Sequence, residues 1–178
     1  MVVLDIKIQE ANKKQLEEFI DYLYSKCNKF LMALPNFDRT RYQQNEMNDS
    51  YKKYLKKVKP ICDDIEPYVI YRYTTKNYIT ARSKYIVDAI LVKFYEGFKS
   101  ILLESGGFHK WLYPDYPEDL CFFEDEKCWF FTTAYESKFY IVEPTDEDIK
   151  MIGNIGIKYK STFYRNFKSL EYYLDRKF

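Results

Sequence analysis

Residues 120–133, L-C-F-F-E-D-E-K-C-W-F-F-T-T, decide the fold of this chain. Two apolar runs, 120–123 and 128–133, flank four charged residues, 124–127, and this arrangement favours a β-hairpin with a short turn. Both runs are apolar at almost every position rather than at alternate positions, which is typical of strands buried on both faces. We therefore expect two central strands in a sheet.

The next segments continue the sheet and add helices. Phe139–Val142 suits a third antiparallel strand, and 144–148 opens a helix whose acidic residues match the positive end of a helix dipole. A last helix is indicated by the spacing of four apolar residues, Phe163, Phe167, Leu170 and Leu174. The predicted fold class is α+β, with a central antiparallel sheet (hairpin 120–133 plus strand 139–142) packed with several amphipathic helices in a single domain, 1–178.

The N-terminal third predicts one strand and two helices. Leu4, Ile6 and Ile8 alternate with polar residues as in a strand, and apolar residues then recur at helical spacing from Leu16 to Leu34. Pro35 is expected to stop that helix, and residues 38–48 are polar and loop-like. The following helix carries the apolar face Tyr51, Tyr54, Leu55 and Val58, and Pro60 is expected to end it.

Between this helix and the hairpin we expect a strand and a long helix. Tyr68–Thr75 is rich in β-branched and aromatic residues, which favours a strand. A helix is predicted from about Arg82 to Glu104, with Ile86, Ile90, Phe94 and Ile101 on its apolar face. Ser105, Gly106 and Gly107 follow as the residues expected at its C-terminal cap.

The composition indicates an ordered protein without export or metal chemistry. The chain has 178 residues, a net charge of +1, 33 Tyr and Phe residues and only 11 Gly and Pro residues. No signal peptide or apolar span of membrane length is visible, so a cytoplasmic location is expected. With a turn at 124–127, Phe123 faces Cys128 and Cys121 faces Phe130, which keeps the two sulfur atoms apart. Reduced, packed thiols and no metal site are predicted for the four cysteines, Cys27, Cys62, Cys121 and Cys128.

Residues with catalytic potential are few. His109 is the only histidine, and no nucleophile elbow or phosphate-binding glycine loop is present. We predict no catalytic residue and no cofactor. An enzyme that uses His109 with Glu118 or Asp119 for proton transfer remains an alternative.

Acidic and aromatic residues are crowded together between Lys110 and Asp148. Opposite charge steers encounter and rigid rings anchor contacts, so this segment predicts a surface for a basic protein partner, although a solvated acidic face has the same composition. Trp129 is expected in the core and Trp111 at the surface. The predicted partner-binding residues are Trp111, Tyr113, Asp115, Tyr116, Glu118, Asp119, Glu124, Asp125 and Glu126.

A basic helix offers a second interpretation. Lysines with an interleaved tyrosine bind nucleic acid by phosphate contacts and stacking, and here they are Lys52, Lys53, Lys56, Lys57 and Lys59 with Tyr54. The nearly neutral net charge and the acidic segment oppose polyanion binding. Nucleic-acid or nucleotide binding is therefore the less favoured alternative.

Three segments, K-I-Q-E-A-N-K-K-Q-L-E-E-F-I-D-Y-L (7–23), Y-P-E-D-L-C-F-F (116–123) and C-W-F-F-T-T-A-Y-E-S (128–137), resemble small bacterial cytosolic proteins labelled stage III sporulation AH-like. Proteins of similar appearance include immunity proteins encoded beside polymorphic toxins. The resemblance implies a stoichiometric inhibitor that presents acidic side chains to a basic toxin; a phage-encoded inhibitor of a host protein would have the same appearance. The pattern often has His where this chain has Tyr135, so a His-Glu site is not carried over.

Overall fold

An antiparallel sheet with helices packed against it is formed by the residues that the computed structural model describes, 2–36, 47–75, 78 and 86–163. Within them lie four α-helices: α1 (Lys13–Lys26), α2 (Met47–Ile65), α3 (Glu96–Glu104) and α4 (Asp146–Ile155). The same ranges contain eight strands: β1 (Val2–Ile6), β2 (Lys29–Pro35), β3 (Val69–Thr75), β4 (Val87–Lys93), β5 (Glu118–Glu124), β6 (Lys127–Thr133), β7 (Lys138–Val142) and β8 (Tyr159–Phe163). The predicted α+β class is confirmed.

The order of strands in the sheet is β3-β4-β2-β5-β6-β7-β1-β8, and each neighbouring pair is antiparallel. The hairpin β5–β6 has β2 on one side and β7 on the other, so its predicted central position is confirmed. The predicted strand at 139–142 is β7, which pairs with β6 and β1. The hairpin is thus held by pairing on both of its edges.

Side chains leave the central strands on both faces, which explains their unbroken apolar sequence. In β5, Phe122 packs into a core shared with α1, α3 and α4, whereas Cys121 and Phe123 pack into a second cluster. Phe30 of β2 stacks on Phe98 of α3 with ring centroids 3.8 Å apart. Full burial of one such ring contributes about 1.5–3 kcal/mol, so these strands hold much of the stabilising apolar contact.

The helix predicted from Leu16 to Leu34 ends earlier than expected. Asn12 and Gln15 form a capping box that starts α1, but the backbone of Cys27 is extended (φ −106°, ψ 139°) and the chain continues as β2. The apolar run 30–33 is buried on both sides of the sheet, and a run of that kind fits helical and strand spacing alike. The prediction that Pro35 stops a helix is wrong, since Pro35 ends a strand.

The long helix predicted from Arg82 to Glu104 is also wrong in its first half. Residues 79–85 lie outside the described residues, and Val87–Lys93 forms β4, which pairs with β2 and β3. Of the described residues in the predicted range, only Glu96–Glu104 is helical. Its predicted end is confirmed, because Gly106 and Gly107 adopt positive φ angles of 81° and 118°.

In α2 the predicted apolar face is largely confirmed, since Tyr51, Tyr54 and Val58 are buried, whereas Leu55 is exposed. Pro60 does not end this helix, which continues to Ile65. The loop predicted for 38–48 lies outside the described residues up to residue 46, after which α2 begins.

The predictions after the hairpin are partly confirmed. The helix expected from 144 is α4, whose capping box is formed by Thr145 and Asp148. Gly156 ends this helix with a φ of 81°. Of the predicted C-terminal helix, Phe163 instead ends β8, and Phe167, Leu170 and Leu174 lie outside the described residues.

Cys121 and Cys128 are free and lie on the same face of the hairpin. Phe123 faces Cys128 as predicted, but a bulge places Cys121 opposite Phe131 rather than Phe130. Burial, followed by a hydrogen bond with the Cys121 thiol, raises the pKa of Cys128 well above its ordinary value. The prediction that the register separates the two sulfur atoms is therefore wrong.

Candidate protein-binding surface

The turn of the central hairpin carries three exposed acidic residues, Glu124, Asp125 and Glu126. Asp125 adopts a φ of 52°, a conformation that Asp tolerates in tight turns. The side chain of Asn28 donates a hydrogen bond of 2.8 Å to Asp125 Oδ1, and Lys29 Nζ lies 2.6 Å from Glu126 Oε1. The residues before and at the start of β2 therefore fix the shape of the turn.

The first turn of α4 adds negative charge beside this hairpin turn. Asp146 and Glu147 are exposed there. Lys26, the last residue of α1, lies 2.9 Å from Asp148 in α4, and Asn28, two residues later, binds Asp125 in the hairpin turn, so the start of α4 and the hairpin turn lie on the same side of the molecule. Within the described ranges, Glu124, Asp146 and Glu147 form no ion pair. We call Glu124, Asp125, Glu126, Asp146 and Glu147 the acidic surface.

The ammonium group of Lys26 has Asp148 as its direct partner in a buried network. Asp148, which has no exposed side chain surface, accepts hydrogen bonds from Lys26 Nζ at 2.9 Å, Tyr22 Oη at 2.7 Å and the Thr145 backbone N–H at 2.8 Å. Burial alone would raise the pKa of Asp148, but these hydrogen bonds hold it below its ordinary value. Lys26 Nζ also lies 5.6 Å from the ring centroid of Trp129, within the range of a cation–π contact.

A groove of about 390 Å³ lies between α1 and α4. Its lining combines apolar, aromatic, polar and acidic side chains: Glu18, Asp21, Tyr22, Ser25, Met151, Asn154 and Ile155. Tyr22 joins the groove to the acidic surface, because its hydroxyl donates a hydrogen bond of 2.7 Å to Asp148, the residue after Glu147. The groove therefore opens beside the acidic surface.

The predicted anchor Trp111 is fully buried, and its expected surface position is wrong. Its indole N–H donates a hydrogen bond of 2.9 Å to Ser105 Oγ. The rings of Phe98 and Tyr116 lie 5.3 and 5.2 Å from it. Neighbouring Tyr and Pro residues gave no sign of this burial, which depends on contacts with α3 that are distant in sequence.

Tyr113 and Asp115 connect their segment to α2. The ring of Tyr113 contacts that of Tyr54 with centroids 4.9 Å apart, and Asp115 forms an ion pair with Lys57. Tyr113 and Tyr116 are half-buried, whereas Asp115 is exposed. Together with the contact between Tyr116 and Trp111, these contacts give Tyr113, Asp115 and Tyr116 structural roles.

Glu118 and Asp119 lie at the start of β5, whereas Glu124 ends the strand. A seven-residue strand spans roughly 20 Å, so the two groups of predicted acids are at opposite ends of β5. Burial, and then the negative charge of Asp119, raises the pKa of Glu118 to about 7. Asp119 is buried and accepts a hydrogen bond of 2.9 Å from the Ala134 N–H. The structure therefore divides the predicted site and leaves only its hairpin-turn residues exposed as a group.

The five lysines of α2 are exposed, but several have acidic partners. Lys57 pairs with Asp115, and Lys59 Nζ lies 2.6 Å from Asp63. Lys53 and Lys56 have no ion-pair partner among the residues that the structure describes. The local positive charge is therefore partly neutralised, which weakens the nucleic-acid alternative.

His109 lies in a short helical turn and is half-buried. Burial, and then the charge of Lys110, lowers the pKa of His109. No hydrogen bond links its ring to Glu118 or Asp119, so the described contacts do not assemble the alternative proton-transfer pair.

Among the described residues, no group of three or more His, Cys, Asp or Glu side chains is arranged to hold a metal ion. None of the described helices combines the length and apolar character needed to cross a membrane.

Sequence reasoning missed two parts of the surface. The predicted partner-binding residues do not include Asp146 and Glu147, although both lie in the acidic segment 110–148, and the sequence gives the groove residues of α1 only as parts of an amphipathic helix. The signal in the sequence is the run T-D-E-D at 145–148: the capping box uses Thr145 and Asp148, and Asp146 and Glu147 are additional acids. Comparison of the chain with protein-family models, with curated proteins and with solved structures gave no match.

Proposed function

We propose that this chain is a non-catalytic inhibitor of immunity type, which neutralises a basic toxin or effector protein by covering it with the acidic surface. The observation that carries the proposal is the group of exposed carboxylates on the hairpin turn and on the first turn of α4, where Asp148 binds Lys26 Nζ at 2.9 Å. Like charges held together repel each other, and a positively charged partner relieves that repulsion.

The geometry of the hairpin supports tight binding. The turn lies between two central strands and is tied to Asn28 and Lys29, so its carboxylates are ordered before a partner arrives. A preorganised surface loses less conformational entropy on association, and opposite charge accelerates encounter. This mode of action requires a complementary surface and no catalytic group.

The proposal is tested by capturing partners from a native-source lysate with the wild type and a Glu124→Lys/Glu147→Lys variant. A matched control, Asp49→Lys/Asp115→Lys, reverses two exposed acids of α2 and the 111–116 segment. Captured proteins are identified, purified and then co-expressed with each variant in a growth assay. We expect a basic protein that binds the wild type and the control at one-to-one stoichiometry and that arrests growth unless either is present.

Two results would overturn this function. One is that no captured protein is neutralised by the wild type. The other is that the Glu124→Lys/Glu147→Lys variant protects as well as the control, in which case the acidic surface is not used. If instead the Asp49→Lys/Asp115→Lys variant alone loses binding, the partner binds the surface around α2 and Asp115 rather than the acidic surface.

Lys53 and Lys56, which are exposed and have no ion-pair partner in the described part of the chain, favour nucleic-acid binding as the second candidate function. Fluorescence anisotropy with a labelled oligonucleotide tests it directly. Binding that weakens with salt and is lost in a Lys53→Glu/Lys56→Glu variant would support this alternative, and no binding at low salt would exclude it.

A further inference from the structure

We propose that the groove between α1 and α4 binds an arginine side chain of the basic partner; this inference rests on the proposed function. The groove, about 390 Å³ in volume, lies next to the acidic surface, because Tyr22 in its lining donates a hydrogen bond of 2.7 Å to Asp148, the residue after Glu147. A partner that docks against Glu124 and Glu147 therefore has the groove within its footprint.

The lining matches the two parts of an arginine side chain. Met151 and Ile155 present apolar surface, which suits an aliphatic stem. Glu18 and Asp21 place carboxylates at the rim, where they would accept hydrogen bonds from a guanidinium group. The ring of Tyr22 provides an aromatic surface for the same cation.

Hydrogen bonds near both ends of the groove hold α1 and α4 together. Gln15 Nε2 donates to the carbonyl oxygens of Ile155 and Gly156, each at 3.1 Å. Tyr22 Oη donates to Asp148 at the other end, which fixes the tyrosine ring against Trp129 with centroids 5.7 Å apart. The groove is therefore formed before binding, and little rearrangement is required to fill it.

The rim favours arginine over lysine. A planar guanidinium group stacks on an aromatic ring while its N–H groups contact carboxylates, whereas an ammonium group is a compact point charge. Lys99 lies 2.7 Å from Asp21 and also contacts Glu96, so part of the charge of Asp21 is already balanced. Within the ranges that the structure describes, Glu18 pairs only with the exposed Lys14, at 3.6 Å, which leaves it as the main charged acceptor.

A titration followed by NMR tests the groove without the natural partner. The probe is N-acetyl-L-arginine amide, and its neutral control is the corresponding citrulline derivative, which has nearly the same shape. We expect arginine to shift the amide signals of residues 18–25 and 151–155 at millimolar concentration, and Glu18→Gln to weaken its binding about two- to five-fold. Equal shifts with citrulline, or shifts located elsewhere, would overturn the inference.

An Asn154→Trp variant fills the groove, and a matched Lys150→Trp variant places the same ring on α4 outside the groove lining. With a captured partner, we expect the Asn154→Trp variant to lose at least tenfold in affinity and the Lys150→Trp variant to bind nearly as the wild type does. Equal affinity of the two variants would reject the arginine groove and leave the inhibitor function standing. If no partner is neutralised, the inhibitor function fails, while the arginine titration still decides whether the groove binds the side chain.

Discussion

Replacement of Glu118 by glutamine should make the protein more stable at pH 8 and leave its stability nearly unchanged at pH 4.5. The side chain lies beside Asp119 at the start of β5, and burial followed by that neighbouring charge raises its pKa from 4.5 to about 7. A hydrogen bond of 3.3 Å from the Tyr113 N–H only partly offsets these effects. The folded protein therefore holds the Glu118 proton more tightly than the unfolded chain does.

The sign and size of the pH effect follow from this difference. Below pH 4.5 the carboxyl group is protonated in both the folded and the unfolded state, and the protonated group contributes its full share to the free energy of unfolding. As the pH rises from 4.5 to about 7 that contribution is lost, because the unfolded chain releases the proton first. One pKa unit corresponds to about 1.4 kcal/mol, so the total loss is about 3 kcal/mol. Glutamine does not ionise, so the Glu118→Gln variant does not undergo this loss of stability.

Urea denaturation of the wild type and the Glu118→Gln variant at half-unit intervals between pH 4.5 and 8 measures the difference directly. A Glu104→Gln variant, which removes an exposed carboxylate at the end of α3, is the matched control and should show a nearly constant difference from the wild type. If the Glu118→Gln difference is also constant with pH, or if it decreases as the pH rises, burial does not control this carboxyl group.

Three other substitutions test separate parts of the fold by chemical denaturation. Asp148→Asn should lower the free energy of unfolding at pH 7 by about 3–5 kcal/mol, because Lys26 then loses its buried charged partner; wild-type stability at that pH would contradict the described network. Phe30→Ala should cost about 3–5 kcal/mol through loss of its stacking against Phe98 in the core, and a loss below 1 kcal/mol would contradict the burial of β2. Pro60→Ala should raise the free energy of unfolding by up to about 3 kcal/mol, because a proline inside α2 removes a backbone hydrogen bond, and a decrease would show that the ring stabilises the helix there.

Local signals predicted the elements that differ clearly from their surroundings. The hairpin was predictable because charged residues interrupt two apolar runs, and α4 because its capping residues precede an amphipathic segment. The start of α1 has the same kind of signal in the capping box of Asn12 and Gln15. In each case one short segment contains both the boundary and the pattern that follows it.

β2 and β4 could not be separated from helices by periodicity alone. Both strands are paired on both edges and buried on both faces, so their apolar residues follow one another without alternation. Leu31 and Ala33 pack on one side of the sheet and Phe30 and Met32 on the other. Such a run satisfies helical spacing by chance, and only the tertiary contacts show that it is a strand.

The candidate site was predictable in character but only partly in position. Composition indicated an acidic, aromatic segment, yet composition does not show which side chains the fold buries. Trp111 is part of the core, and Glu118 lies at the opposite end of β5 from Glu124. Glu147 lies on a different element from the hairpin turn, on the same side of the molecule, and no local pattern relates those two positions.

The acidic surface has a cost for the isolated protein that its binding function would explain. Glu124 and Glu147 carry like charge and have no ion-pair partner among the described residues, while the ammonium group of Lys26 is paired with Asp148. The hairpin turn cannot move away to relieve this repulsion without disturbing two central strands. A basic partner would remove the repulsion and gain from the fixed positions of the carboxylates. The rigidity that makes the surface unfavourable in the free protein would therefore increase affinity in the proposed complex.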